Sequence, residues 1–142
     1  APEPHEAQWF EDAARPLPPA GRERLVADLV RGHCGLLQPA SAEPMVRAQR
    51  IRDAAFASTL LRGASADGAA ALIAGSGHVR RDYGVPTLLP ADASLVVVGF
   101  TEVAAGAAEP GAYGPLDAYD YVWFTRRVDE PDPCAKMRTG AK

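Results

Sequence analysis

Apolar residues in the first half of the chain recur at the spacing of helices that bury one face. The spacing predicts a helix over residues 6–14, another over residues 21–31, and a longer third helix that Ser41 caps and Gly63 ends. The first helix is expected to end before the prolines Pro16, Pro18 and Pro19. The apolar stripe of the third helix is predicted to comprise Met45, Ala48, Ile51, Ala55 and Leu60. Residues 1–64 are therefore predicted to form a small helical subdomain.

In the second half of the chain, apolar residues form short runs that are typical of strands. Strands are expected over residues 69–74, 94–103 and 120–127. The first two runs are continuous, as in strands that are covered on both faces of a parallel sheet, whereas the third alternates like an edge strand. The pattern predicts an α/β fold, with a parallel-sheet core in residues 65–128 and a flexible tail over residues 129–142.

Three strands make a thin sheet for an independent α/β domain. Helices normally cover both faces of a parallel sheet, so a small sheet leaves apolar surface that needs a partner. More of the sheet is therefore expected in a second copy of the chain, in another protein, or in a segment of the same protein outside this sequence.

Composition indicates a folded domain without an affinity for nucleic acid. The chain has 142 residues, of which 47% are hydrophobic, enough for one domain with a core. Its 15 Lys and Arg against 18 Asp and Glu give a net charge of −3, which does not favour a polyanion. No apolar stretch is long enough to cross a bilayer, and the first residues lack the pattern of a signal peptide.

Cys34 and Cys134 are the two cysteines of the chain. Their separation excludes a CxxC metal site. Two interpretations stay open, because the pair could form a disulfide that ties the tail to the helical region or could be two unpaired thiols.

The segment that follows the first predicted strand has the composition of a ligand site. It reads Gly-Ser-Gly-His-Val-Arg-Arg-Asp-Tyr-Gly-Val-Pro from Gly75 to Pro86. Gly75 and Gly77 can adopt positive φ or let a ligand approach the main chain, and residues 79–83 could start a helix whose N–H groups favour an anion. Ligands commonly bind at the carboxyl ends of strands in α/β sheets, although glycines also occur in such turns for packing alone.

Five segments together resemble the ChaN-like haem-binding uptake proteins, within the wider TraB, Tiki and erythromycin-esterase-like superfamily. They are His33-Cys34-Gly35, residues 45–53, residues 75–86, residues 98–100 and residues 119–125. The resemblance covers nearly the whole chain and corresponds to the C-terminal part of the family fold. Family members usually begin with another α/β segment that carries a G-E-x-H motif, which has no counterpart before Glu6, so the chain is expected to be incomplete.

The resemblance implies a haem-binding module of a protein for haem or iron uptake in the periplasm or cell envelope. Haem is the expected ligand, bound without catalysis. The expected partner is a second copy of the chain in a homodimer or the missing N-terminal half of the protein. Membrane attachment, as in a lipoprotein, is expected only through a segment outside this chain.

Within this resemblance, His78 and Tyr83 are the candidate iron ligands, since tyrosinate binds ferric haem. Arg80 and Arg81 suit haem propionates, although neighbouring residues on a helix diverge and at most one should point at the ligand. His78 could instead donate to a nearby carbonyl group, and Tyr83 could pack over the turn.

Other residues complete the predicted site. Gln49 and Asp53 lie one helical turn apart and are expected to face the same cleft as Gly75 and Gly77, unless they pair with arginines on their own helix. His33 is interpreted as a group at a helix C-terminus that the helix dipole favours.

Two alternatives to haem binding follow from the single G-x-x-H motif at residues 75–78. The superfamily includes metal-dependent hydrolases with paired motifs, so the chain could be half of a hydrolase site centred on His78. The segment could also be a well-packed turn in a scaffold domain.

Overall fold

The computed structural model describes residues 4–103, 106–107, 109–114, 116–127 and 134–135 of the chain. The α-helices in these ranges are α1 (Pro4–Ala13), α2 (Pro19–Gly32), α3 (Glu43–Asp67) and the single-turn α4 (Ser76–Val79). Short 3₁₀ turns occur at Pro39–Ser41, Val85–Leu88 and Pro110–Tyr113. The helices predicted over residues 6–14 and 21–31 are confirmed by α1 and α2.

The third helix differs from its prediction at both ends. Ser41 belongs to a 3₁₀ turn, and α3 begins at Glu43 without a side-chain cap. The helix continues through Gly63 because one glycine weakens a helix without ending it. It ends where Gly68 takes a φ of 77° and donates its N–H to the carbonyl oxygen of Ala64.

The buried face of α3 is also displaced from the predicted stripe. Ala48 is exposed, and the other stripe residues are only partly buried. The buried positions of this helix are Val46, Arg50, Asp53, Ala54 and Ala57. The helix therefore turns both small apolar and charged residues towards the rest of the protein, and the charged residues Arg50 and Asp53 make polar contacts described below.

Strands β1 (Val98–Val103) and β2 (Tyr121–Arg126) pair in parallel, with Val98 opposite Tyr121. The structure thus confirms a mixed α/β fold. The strand predicted over residues 94–103 is shorter than expected, since residues 94–97 precede the paired region.

The prediction of a strand over residues 69–74 is wrong, because the structure has no strand there. A strand exists only when its backbone groups pair with a neighbour. No described residues form a ladder with this segment, and the Ile73 side chain is 98% exposed. The apolar composition of the segment predicted burial, whereas its residues are exposed or only partly buried in the structure.

The core of the described region has two clusters, both built on α3. In the first, Ala54 and Ala57 pack with the 3₁₀ turn Val85–Leu88, and Trp9 of α1 lies against them. The second cluster comprises Leu25, Val46 and Tyr83. Residues 75–88 are therefore fixed against α3 by apolar burial, so the predicted ligand segment rests on a rigid support.

Cys34 and Cys134 form a disulfide, with 2.09 Å between the sulfur atoms. This resolves the choice left open by the sequence. Apart from Cys134 and Ala135, the tail predicted to be flexible lies outside the described residues. Among the helices of the described residues, none has the length and apolar character that a membrane span requires. The division at residue 64 into two domains stays a prediction.

Candidate functional site

His78 of α4 and Asp53 of α3 form a close pair. The His78 Nδ1 atom lies 2.6 Å from Asp53 Oδ1, and the Asp53 side chain is fully buried. Because an ionised carboxylate only accepts hydrogen bonds, Nδ1 carries a proton, and in the neutral imidazole the lone pair is on Nε2. The Phe56 ring packs edge to face against the imidazole of His78, with 5.3 Å between the ring centres. A carboxylate that orients a histidine in this way is common behind metal-ligating imidazoles.

Burial raises the pKa of Asp53 to about 6, although the hydrogen bond from His78 lowers it. The Asp53 Oδ2 atom is buried and has no hydrogen-bond partner in the part of the chain that the structure describes. The charged form of Asp53 is therefore incompletely solvated at neutral pH, which is the physical reason for the shift.

We expect Asp53→Asn to remove a pH dependence of stability. The folded-state pKa of about 6 exceeds the ordinary value of 3.8, so between these pH values the native protein holds a proton that the unfolded chain has released. This contribution is fully present below pH 3.8 and is lost as the pH rises through about 6. Urea unfolding of the wild type should show about 1–3 kcal/mol more stabilisation than the variant when both are taken from pH 7 to pH 4.

The exposed Asp92→Asn variant is the control for this measurement, since Asp92 lies in an exposed loop. It should follow the wild-type pH profile. Parallel profiles for the wild type and Asp53→Asn would contradict the raised pKa.

Gln49 lies one turn before Asp53 on α3 and also contacts α4, where its Nε2 atom donates to the carbonyl oxygen of Gly77 at 3.2 Å. A Cβ atom on Gly77 would lie 3.4 Å from that amide nitrogen and 3.6 Å from the Tyr83 hydroxyl. Neither Gly75 nor Gly77 has a positive φ, so of the two alternatives for these glycines the left-handed backbone is not adopted. Gly77 instead lets two polar side chains approach the main chain.

Tyr83 is a core residue in this structure, with 1% of its surface exposed. Its hydroxyl donates to Asp28 Oδ2 of α2 at 2.6 Å. Burial, followed by the hydrogen bond to Asp28, raises the pKa of Tyr83 above its ordinary value. The described conformation therefore holds a neutral phenol, and its role as an iron ligand stays a prediction.

Arg80 and Arg81 diverge, as their adjacent positions suggested, and each contacts its own carboxylate. Arg80 is buried, donates from Nε and Nη2 to Asp82 at 2.9 and 2.8 Å, and lies 5.1 Å from the centre of the Tyr83 ring. Arg81 donates from Nε to Asp120 at 3.0 Å. The helix expected over residues 79–83 is absent, because α4 ends at Val79 and Arg80 is extended. Both arginines therefore stabilise the turn that follows α4 through ion pairs within the protein.

A cavity of about 680 Å³, which we call the α2 cavity, lies between α2 and the segments around the sheet. Aromatic residues that line it are Tyr83, Phe100, Tyr113 and Tyr119. The predicted site residues in its lining are Gln49, Gly77, Arg80 and Tyr83. The other predicted residues are not in that lining, and they are Asp53, Gly75, His78 and Arg81. Half of the predicted site residues thus line the α2 cavity, and the other half lie outside its lining.

His33 lies in the lining of the α2 cavity, at the C-terminal end of α2. Its Nδ1 atom lies 2.7 Å from the carbonyl oxygen of Leu29. A carbonyl oxygen only accepts, so Nδ1 carries a proton, and in the neutral imidazole the lone pair is then on Nε2. Sequence reasoning interpreted this residue only as a helix-terminal group, although a histidine beside Cys34 was the available signal.

Among the described residues, no group of three or more His, Cys, Asp and Glu side chains could hold a metal ion. The interpretation of His78 as half of a hydrolase site therefore stays a prediction that depends on ligands from elsewhere.

A comparison with known protein families shows to which family the chain belongs. The family described as haem-binding uptake, Tiki superfamily, ChaN, matches residues 1–89 of the 142. The chain belongs to this family. The match to the ChaN family includes α1 to α4 and ends one residue after the turn Val85–Leu88, so β1 and β2 lie beyond it. No curated protein and no solved structure matches the chain.

Proposed function

We propose that this member of the ChaN family binds haem as the cargo of an uptake system, and that the α2 cavity receives it. A volume of about 680 Å³ is within the usual range of pockets for small molecules. Four aromatic rings in its lining provide flat apolar surface for a porphyrin. The observation that carries the proposal is the imidazole of His33 among those rings, with Nε2 available to bind iron.

His33 is the iron ligand that the geometry favours. Its Nδ1 atom is engaged by a backbone carbonyl, which fixes the tautomer that a metal-ligating histidine needs. The Tyr83 hydroxyl is committed to Asp28, and His78 does not line the cavity. These contacts place His33 ahead of the two ligands expected from the sequence.

Arg31 of α2 is the group best suited to a propionate. It lines the α2 cavity, and 75% of its side chain is exposed. Its ion pair with Asp28 at 2.9 Å is a neighbouring contact on the same helix, which contributes little at a surface. A propionate can therefore compete for this guanidinium, whereas Arg80 is buried against Asp82.

Titration of the oxidised protein with haemin, followed in the Soret region, tests the proposal. The wild type is expected to saturate at a fixed stoichiometry. His33→Ala should weaken binding by about tenfold or more, a loss of about 1.4 kcal/mol, and should change the ligand-field bands because the iron loses a ligand. Tyr83→Phe removes only the hydroxyl that bonds Asp28 and should retain the wild-type bands.

His78→Ala is the matched histidine control, because His78 lies outside the cavity lining. It should leave the spectrum unchanged. The absence of a saturable Soret change would contradict haem binding, and loss of the bands in Tyr83→Phe or His78→Ala alone would assign the iron to that residue instead.

A cell-envelope or periplasmic location belongs to the same proposal. The Cys34–Cys134 disulfide supports it, since such bonds persist mainly in oxidising compartments. The partner, a second copy of the chain or the rest of the same protein, stays a prediction. Its support is the exposed apolar face of the sheet, which comprises Val98, Phe100, Tyr121 and Trp123.

A further inference from the structure

A second cavity, of about 450 Å³, lies between the segment that precedes α2 and the turn around Asp82. It shares only Arg24 with the α2 cavity. Arginines dominate its charged lining, and they are Arg15, Arg24, Arg50 and Arg81. We call it the arginine cavity. Asp82 is the acidic residue in its lining, and it is already held by Arg80 and Arg24.

The main support for a ligand in this cavity comes from Arg50. It is a buried cation, and no carboxylate of the described residues forms an ion pair with it. Its residue surface is 3% exposed, and no ion pair joins it to a carboxylate in the described part of the chain. Nη1 donates to Thr87 Oγ1 at 2.8 Å and to the carbonyl oxygen of Tyr83 at 3.3 Å, and Nη2 donates to the carbonyl oxygen of Arg15 at 3.3 Å. The Nε atom is buried and has no hydrogen-bond partner among the described residues.

A buried charge normally has a counter-ion, since its desolvation is costly. All the hydrogen bonds that Arg50 donates go to neutral oxygen atoms. Asp53 on α3 interacts with Arg50 through its charge but forms its hydrogen bond with His78. The lining of the arginine cavity holds four guanidinium groups and one carboxylate, so its charge favours an anion.

The first turn of α2 adds hydrogen-bond donors to the same cavity. This helix of 14 residues begins at Pro19 without a side-chain cap, and Ala20 and Gly21 line the cavity. The N–H groups of a first helical turn have no acceptor within the helix, and the helix dipole places partial positive charge there. Arg15 lines the same cavity and is half-exposed. Its Nη2 atom donates to the carbonyl oxygen of Leu88 at 2.8 Å, and its contact with the carboxylate of Asp12 is longer, at 3.8 Å.

We propose that the arginine cavity binds an oxyanion of the phosphate class, either free or as a phosphate ester. Guanidinium groups and helix N-termini together are a common donor set for phosphate. Such an anion supplies the counter-ion that Arg50 lacks, at a place separate from the proposed haem site.

The test is isothermal titration of the complete oxidised chain at low ionic strength, first with inorganic phosphate and then with glycerol 3-phosphate. We expect saturable binding of at least one of the two. Preference for inorganic phosphate indicates a free anion, and preference for glycerol 3-phosphate indicates an ester. Arg15→Gln should weaken the preferred probe by about fivefold to tenfold, about 1–1.4 kcal/mol. Arg50→Lys, which keeps the charge but loses the forked donors, should weaken it by more than tenfold.

Arg52→Gln is the matched control, because Arg52 is an exposed arginine on α3 that does not line the cavity. It should bind both probes as the wild type does. Absence of saturable binding by the folded wild type overturns the proposal, as does an equal loss in Arg52→Gln and Arg15→Gln. If Arg50→Lys does not fold, Arg15→Gln still decides. Haemin titration of Arg15→Gln should match the wild type, so the two proposed sites can fail independently.

Discussion

Replacing both Cys34 and Cys134 by serine is expected to lower the free energy of unfolding by about 4–5 kcal/mol. The two residues are 100 positions apart, and a crosslink over a loop of that length removes much of the conformational entropy of the unfolded chain. For a domain of 142 residues this corresponds to a fall in melting temperature of about 10–20 °C. Urea unfolding of the oxidised wild type and the double variant measures the difference directly.

The same disulfide is expected to affect haem binding. Cys34 follows α2, which lines one side of the α2 cavity, while Phe100 to Glu102 of β1 line another. The chain beyond β2, which pairs with β1, is tied back to α2 by this bond. Reduction should therefore let these elements separate and weaken haemin binding in the wild type.

The double serine variant is the control for reduction, because a reducing agent has no target in it. Its stability and haemin affinity should be the same with and without reductant. A stability difference below about 1 kcal/mol between the wild type and the variant would show that the crosslink does not constrain the unfolded chain as the entropy model requires.

The helices of this protein were predictable because their signal is local. Periodic apolar residues predicted each end of α1 and α2 to within two residues. The i, i+4 spacing of Gln49 and Asp53 correctly indicated that both side chains contact the same segment, α4. Polar residues at buried helical positions were a further signal. Arg50 and Asp53 share the spacing of Val46, Ala54 and Ala57, which is unusual for charged side chains unless they have a role.

Whether residues 69–74 form a strand could not be judged from the sequence, because strands depend on partners distant in the chain. Composition showed that the segment favours burial but carried no information about its neighbours. The importance of His33 was hidden for a related reason. It follows from the cavity that His33 lines together with Phe100 and Tyr119, and no local sequence pattern encodes that arrangement.

Gly21→Ala is expected to destabilise the protein by about 2–3 kcal/mol, although alanine favours helices. A Cβ atom at Gly21 would lie 2.2 Å from the carbonyl oxygen of Asp82. Because a Cβ atom is fixed directly to the main chain and the carbonyl oxygen is part of it, no side-chain rotation relieves the clash, and α2 must move away from the turn that contains Asp82. Urea unfolding at neutral pH measures the loss.

Gly32→Ala in the same helix is the matched control, because a Cβ atom there meets no atom within 4 Å. It should be neutral or raise stability by up to about 1 kcal/mol through helix propensity. Equal stabilities for the two variants would contradict the close approach of α2 to Asp82. The approach also links both proposed sites, since Asp82 lines the arginine cavity and the next residue, Tyr83, lines the α2 cavity. Moving α2 away from this turn should therefore weaken phosphate and haemin binding together, whereas Arg15→Gln affects phosphate alone.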